Sequence, residues 1–319
     1  MTIPFDGEPL HAQRDRIVEL ADLGYTDVWS SEANGADAFT PLALASAWAP
    51  SLRLGTAIVP AFTRGPACLA QSVGSLAQAA PGRLALGVGT SSNVIVEGWN
   101  GIPFEKPYER TRDVVRFLRA ALAGGKVSEE YETFSVRSFR LGVVPPERVP
   151  ILVAALREGM LRLAGREGDG AIINWLSADD VATVAPIVQE AAAKAGRPEP
   201  EITARIFVAP VDDAATVRSM GKFAIAAYLT VPVYAAFHEW LGRGGQLATM
   251  WQRWKERDRK GALDAIPDSL VDELIVHGPP GRCREHLQRY IDNGVTTLAL
   301  APLPFGFDVR QAVRDLAPK

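Results

Sequence analysis

Residues Arg53 to Asn93 contain a complete strand, helix, strand unit with both strand ends marked, and few architectures accept such a unit. Arg53-Leu54-Gly55-Thr56-Ala57-Ile58-Val59 is β-prone, and Pro60-Ala61-Phe62-Thr63-Arg64-Gly65 after it reads as a loop. Pro66 suits a first helical turn, Leu69, Val73 and Leu76 follow at helical spacing, and Pro81-Gly82 stops the helix. Arg83-Leu84-Ala85-Leu86-Gly87-Val88-Gly89 is too apolar to have a solvated face, as expected of a parallel strand covered on both sides. It ends at Thr90-Ser91-Ser92-Asn93. A small polar cluster therefore follows a strand's carboxyl end, the side on which α/β sheets and barrels bind ligands.

The rest of the chain repeats this unit. Leu23-Gly24-Tyr25-Thr26-Asp27-Val28, Glu167-Gly168-Asp169-Gly170-Ala171-Ile172 and Asn293-Gly294-Val295-Thr296-Thr297-Leu298 are all helix, glycine, strand junctions. Strand candidates near Ile3, Val28, Leu54, Leu86, Leu152, Ile172, Phe207 and Leu300 add up to the eight of a (β/α)8 TIM barrel, and 319 residues suit one such domain, 1–319. Glu129 to Gly142 reads as a hairpin, and Ser177 with Asp180 as a helix cap. Between Ala214 and Leu274 the rhythm breaks into aromatic-rich helical sequence such as Val233-Tyr234-Ala235-Ala236-Phe237-His238 and Met250-Trp251-Gln252-Arg253-Trp254. That 214–274 insertion would either cover the barrel's mouth or serve as a packing or dimer element.

Composition removes several classes of function. With 47% hydrophobic and 22% charged residues the chain can bury a large core, and a net charge of -3 gives no affinity for nucleic acid or an anionic membrane. The start, Met1-Thr2-Ile3-Pro4, lacks a signal pattern, and the most apolar run, Ala224 to Phe237, is too short to span a bilayer and holds Pro232. Cys68 and Cys283 both fall on apolar helical stripes with no C-x-x-C partner. A reduced, cytoplasmic protein is expected.

The four histidines lack metal-ligand spacing, no G-x-S-x-G elbow appears, and Gly87-Val88-Gly89 is not a dinucleotide fingerprint. Organic cofactors and simple acid/base chemistry remain. Glu32, after the Tyr25 to Trp29 strand, is the clearest ionisable group at a strand's carboxyl end, able to bond a bound ring or simply to face water. Ala155-Leu156-Arg157-Glu158-Gly159-Met160 turns from strand into helix, so its backbone N–H groups could hold a phosphate. Thr90, Ser91, Ser92 and Asn93 offer polar groups to a ligand or cap a helix, and Asn174-Trp175 stacks a planar ligand or packs the core.

Taken together, Asp27-Val28-Trp29-Ser30-Ser31-Glu32, Gly55-Thr56-Ala57-Ile58 with Thr63-Arg64-Gly65-Pro66, Leu86-Gly87-Val88-Gly89-Thr90, and Ala154-Ala155 through Gly168-Asp169-Gly170 resemble the bacterial luciferase-like superfamily. Within it the chain is most similar to oxidoreductases that use the deazaflavin coenzyme F420, such as methylene-tetrahydromethanopterin reductase. The resemblance implies a TIM barrel with the cofactor across the carboxyl ends of its strands. It implies a non-proline cis peptide at Ala57-Ile58, beside Val59, under the ring, and phosphate at the amides near Arg157, Gly159 and Met160. It also implies a homodimer built through helices on one flank. Many F420 relatives carry Asp-His where this chain has Glu32-Ala33, and the family's glucose-6-phosphate dehydrogenase carries a glutamate where Ser92 stands. Oxidation of that sugar phosphate is therefore disfavoured.

The reading that follows is hydride transfer between F420 and a small organic substrate, with Glu32 polarising the ring and His238 delivering a proton. An FMN-dependent monooxygenase on the same barrel is the alternative, and a barrel that has lost its cofactor is a third.

Overall fold

In the computed structural model, which describes residues 1–318, the apolar runs become parallel strands. In chain order the strands are β1 (Asp27–Ser30), β2 (Arg53–Thr56), β3 (Val59–Pro60), β4 (Leu84–Gly89), β5 (Lys126–Glu130), β6 (Ser135–Arg140), β7 (Ile151–Ala154), β8 (Gly170–Asn174), β9 (Glu201–Ala209), β10 (Ile275–His277) and β11 (Thr297–Pro302). Parallel strands separated by helices in this order make the fold a (β/α)8 TIM barrel with helices inserted ahead of its last strand. The chain forms two compact units, the first mainly residues 1–173 and 186–203, the second residues 174–185 and 204–317.

In the first unit β1, β2, β4, β7 and β8 lie side by side, all parallel. The segment before them is shorter than a strand: Thr2 bridges Trp29, with the Ile3 N–H donating to the Trp29 carbonyl at 2.8 Å. β2 and β3 both run along β4, so they are one strand interrupted at Ala57-Ile58. Gly87 explains how the interruption fits. A Cβ there would lie 2.0 Å from the Thr56 carbonyl oxygen and 2.3 Å from Ile172 Cδ1. Instead, Thr56 Oγ1 donates to the Gly87 carbonyl and accepts from its N–H, both at 2.8 Å. The hairpin β5–β6 is antiparallel.

Charge in this unit concentrates at two places. Arg53 holds Glu201 with a two-pronged pair at 2.8 and 2.7 Å and reaches Asp27 at 3.2 Å. Asp169 gathers Arg119, Arg148 and Arg197 and accepts from the Ile151 N–H at 2.7 Å. Burial alone would raise the Asp169 pKa, but the Ile151 amide and the guanidinium groups outweigh it and hold the carboxyl below its ordinary value.

In the second unit β10 and β11 both pair with β9, with Phe207 opposite Ile275. The three-residue β10 was not among the expected strands; Ile275-Val276-His277 is too short to show a period. Five helices precede it: Ala214–Leu229, Pro232–Trp240, Gly244–Lys255, Arg259–Asp264 and Asp268–Leu274. Their apolar faces, with Trp175 and Phe207, build a second core around Leu229, Met250 and Leu270. Ser177 and Asp180 cap their helix reciprocally, the Ser177 N–H reaching Asp180 Oδ2 at 2.7 Å and the Asp180 N–H reaching Ser177 Oγ at 3.2 Å. One expectation fails among the cysteines: Cys283 is buried, but Cys68 is exposed, because the helix Pro66–Ala79 turns Leu69, Ala70 and Val73 inward instead. No single helix among the described residues is long and apolar enough to cross a membrane.

Candidate functional site

Three loops of the first unit leave the carboxyl ends of neighbouring parallel strands and are tied together by backbone hydrogen bonds. The Ala57 N–H donates to the Ser30 carbonyl at 2.5 Å, the Glu32 N–H to the Ile58 carbonyl at 3.1 Å, and the Ala61 N–H to the Gly89 carbonyl at 2.8 Å. The Ala57-Ile58 peptide bond is cis, at the position the resemblance implied. The Ile58 side chain lies over the end of β4, where Gly89 has no room for a Cβ: one would meet Ala154 Cβ at 2.6 Å and Ile58 Cδ1 at 3.4 Å. Ile58, Gly89 and Ala154 thus form a smooth apolar surface at three adjacent strand ends.

Beside this floor, β7 runs through Ala155 and Leu156 into the helix Glu158–Glu167. Arg157 is extended at the helix's N-cap and makes no side-chain capping bond, so the first-turn N–H groups of Glu158, Gly159 and Met160 remain available. A Cβ on Gly159 would meet nothing within 4 Å, so space is open there, and Arg157 is exposed. Free N–H groups with a positive dipole end and open space suit a phosphate. Thr90, Ser91 and Asn93 follow β4; Ser91 has a left-handed backbone (φ 61°), and Thr90 Oγ1 donates to the Ser91 carbonyl at 3.1 Å. A flat apolar floor, a polar turn and an anion-ready helix start fit a planar ring carrying a phosphate tail.

Two expected catalytic groups are placed differently. Glu32 is only 16% exposed, and both carboxylate oxygens are taken. Arg64 donates to Oε2 from Nη2 at 2.7 Å and Nε at 3.3 Å, the Ala38 N–H to the same oxygen at 3.2 Å, and Thr63 Oγ1 to Oε1 at 3.5 Å. Burial would lower the Arg64 pKa, but the bonds to Glu32 and the nearby Asp37 raise it, so the guanidinium stays charged. Glu32 clamps two loops through Oε2, while Oε1 has only the 3.5 Å contact from Thr63. Arg64 was quoted in the sequence pattern, yet its partner, 32 residues away, has no local signal.

His238 is fully buried on the helix Pro232–Trp240, with Nε2 3.0 Å from the Trp175 carbonyl oxygen. Burial, helped by Arg243, lowers its pKa to about 4, so the ring is neutral and shielded from solvent, which does not fit a proton donor. Trp175 is buried as well. It is 1% exposed, stacked on Phe207 at 4.2 Å between centroids and tilted against Tyr228 at 4.9 Å, so its ring packs the second unit's aromatic core. Next to it, Asn174 Nδ2 lies 3.3 Å from the Tyr234 hydroxyl. No cluster of three or more metal-ligating side chains occurs among the described residues.

Comparison with known proteins bears on the family and the fold. Residues 2–297 match the model of a family described as luciferase-like monooxygenase. The 5,10-methylenetetrahydromethanopterin reductase of Methanolobus tindarius is 27% identical over 303 residues, covering 91% of this chain and 90% of its own. The F420-dependent glucose-6-phosphate dehydrogenase of Rhodococcus erythropolis is 31% identical over 284 residues, covering 84% of this chain and 78% of its own. The solved coenzyme F420 dependent tetrahydromethanopterin reductase of Methanopyrus kandleri superposes with a TM-score of 0.83 at 19% identity, over 99% of this chain and 96% of its own.

Proposed function

The chain belongs to the luciferase-like monooxygenase family, and within it we propose that it is an oxidoreductase using coenzyme F420 to exchange a hydride with a small organic substrate. The observation that carries this reading is the pairing of a smooth strand-end floor with an open, uncapped helix start at Gly159. When bound, the deazaflavin supplies the ring carbon that gives or takes the hydride.

The chain's own share is positioning. Ala57, Ile58 and Val59, with Gly89, support one ring face and exclude water from it. Thr90, Ser91 and Asn93 offer hydroxyl and amide groups at the ring's polar rim. Ala155, Leu156, Arg157, Gly159 and Met160 hold the phosphate, the N–H groups by direct donation and Arg157 by charge. Glu32, locked to Arg64, fixes the loop that carries Ser31 against the strand interruption, so it acts as a positioning residue.

Titrating the protein separately with F420 and FMN, each followed by its own absorbance, tests the reading. Saturable binding with F420 tighter than FMN is expected. Tighter FMN binding would move the protein to the flavin monooxygenases of the family, and no binding of either would leave it without the proposed activity.

A further inference from the structure

Among the described residues, seven buried side-chain polar atoms lack any hydrogen-bond partner, and four of them sit in the second unit around one aromatic cluster: Asn174 Oδ1, Trp175 Nε1, Arg205 Nε and His238 Nδ1. Buried polar atoms are nearly always paired in a finished core, so such a concentration marks a place built to receive a partner. Arg205 is the unusual member. It interrupts the otherwise apolar end of β9, and strand alternation puts it on the same face as Phe207, whose ring its guanidinium overlies at 4.8 Å. None of the ion pairs formed by the described residues includes it. A half-buried cation left without a carboxylate costs stability, and its presence here argues for a charge supplied from outside.

The neighbouring groups are donors of the right kind. Phe207 connects to Tyr228 at 6.2 Å and Tyr228 to Tyr234 at 5.5 Å between ring centroids, and Asn174 meets the Tyr234 hydroxyl. Burial pushes the Tyr234 pKa up to about 12, and Arg205 is among the groups that pull it back, so the phenol keeps its proton and lies within the field of the guanidinium. Turning the Asn174 amide over lets the Tyr234 O–H donate to its oxygen and frees its NH2, an assignment that depends only on which partner is present. The cluster then carries three donors without acceptors, on Asn174, Trp175 and Arg205, against a single positive charge.

We propose that Arg205 and Asn174, its amide oriented by the Tyr234 hydroxyl, form a subsite for the carboxylate of an aromatic or unsaturated organic acid. One guanidinium balances one monoanionic carboxylate in a two-pronged pair, whereas a phosphate dianion would leave a buried negative charge, and the half-buried Tyr228 and Tyr234 rings suit a flat apolar body. The inference deepens the oxidoreductase reading by naming a substrate class, and rests on it only for the word substrate.

Calorimetric titration of benzoate, phenyl phosphate and neutral benzamide into wild type, Arg205→Met and Arg205→Lys tests it, with F420 titrated into the same proteins. Wild type is expected to bind benzoate at least about 10-fold tighter than benzamide, and R205M to lose about 10-fold or more, with F420 affinity changed less than about 2-fold. R205K, which keeps the charge but not the fork, is expected to lie between them and guards against a misfolded R205M, checked by circular dichroism. Benzoate binding no tighter than benzamide, or unchanged in R205M, overturns the proposal, and tighter phenyl phosphate than benzoate overturns the carboxylate assignment. Benzoate binding without F420 binding would leave the subsite standing and remove the cofactor reading instead.

Discussion

The strand-end loops of the first unit and the aromatic cluster of the second solve the same problem, burying polar groups, in opposite ways. Around Thr56, Gly87, Ser30 and Ile58 the hydrogen bonds, from backbone groups and the Thr56 hydroxyl, close on one another. Around Arg205, Asn174, Trp175 and His238 they stop short, leaving donors and acceptors open in a hydrophobic setting. A closed network fixes geometry and resists change; an open one keeps binding capacity at a cost in stability. The first region thus has the character of a scaffold for an invariant ligand, the second that of a selective pocket wall.

Changes that strike the closed region are expected to cost most. Gly87→Ala forces a methyl into the Thr56 carbonyl, which cannot move without dismantling the strand interruption, and should destabilise by about 4 kcal/mol or more in urea unfolding. A loss under about 1 kcal/mol would show the region to be pliable. Asp169→Asn removes the charge that three arginines share and should cost about 3 kcal/mol at pH 7. Because the folded-state pKa of Asp169 lies below its unfolded value, this stability is complete above the ordinary carboxylate range and is lost as pH falls through the lowered value. The variant should therefore approach wild type in stability only as pH falls below the ordinary carboxylate range, through the lowered value.

His238 tests the open region by pH. Its folded pKa, about 4, lies below the ordinary 6.5, so protonation favours unfolding, and its contribution, present above 6.5, fades by up to about 3 kcal/mol as pH falls to 4. His238→Gln should flatten that part of the stability profile; an unaltered slope would mean that the ring is already exposed or protonated. Gly159→Asp places a negative charge at the open helix start, and F420 affinity should fall about 10-fold with little change in unfolding midpoint. The smallest effect sharpens the contrast most. Arg205→Met should leave stability unchanged or raise it by about 1 kcal/mol, since it removes an unpaired cation, whereas any comparable polar deletion in the closed region lowers it.

Much of the first unit can be read from the chain. Leu84 to Gly89 is apolar without alternation because β4 is covered on both faces, and Pro66 and Pro81-Gly82 delimit a helix that ends at Ala79. The loops after β1, β2, β4 and β7 were identifiable as ligand-side loops from strand direction alone. The Arg64–Glu32 pair was not, because an ion pair between two loops leaves no periodic trace. The burial of His238 is illegible for a related reason: on the short helix Pro232–Trp240 nearly every position is apolar, so nothing in the pattern says which side faces inward. Arg205 did leave a signal, a lone charge within Ile202 to Ala209, and β10 was hidden by its length.

The central claim, a deazaflavin resting on the Ile58, Gly89 and Ala154 floor with its phosphate at the Gly159 helix start, is tested most directly by a crystal structure of the F420 complex. It should show phosphate oxygens within hydrogen-bond distance of the Gly159 and Met160 N–H groups and the ring against Ile58. A ring lying elsewhere, or a phosphate held only by surface side chains, would contradict it.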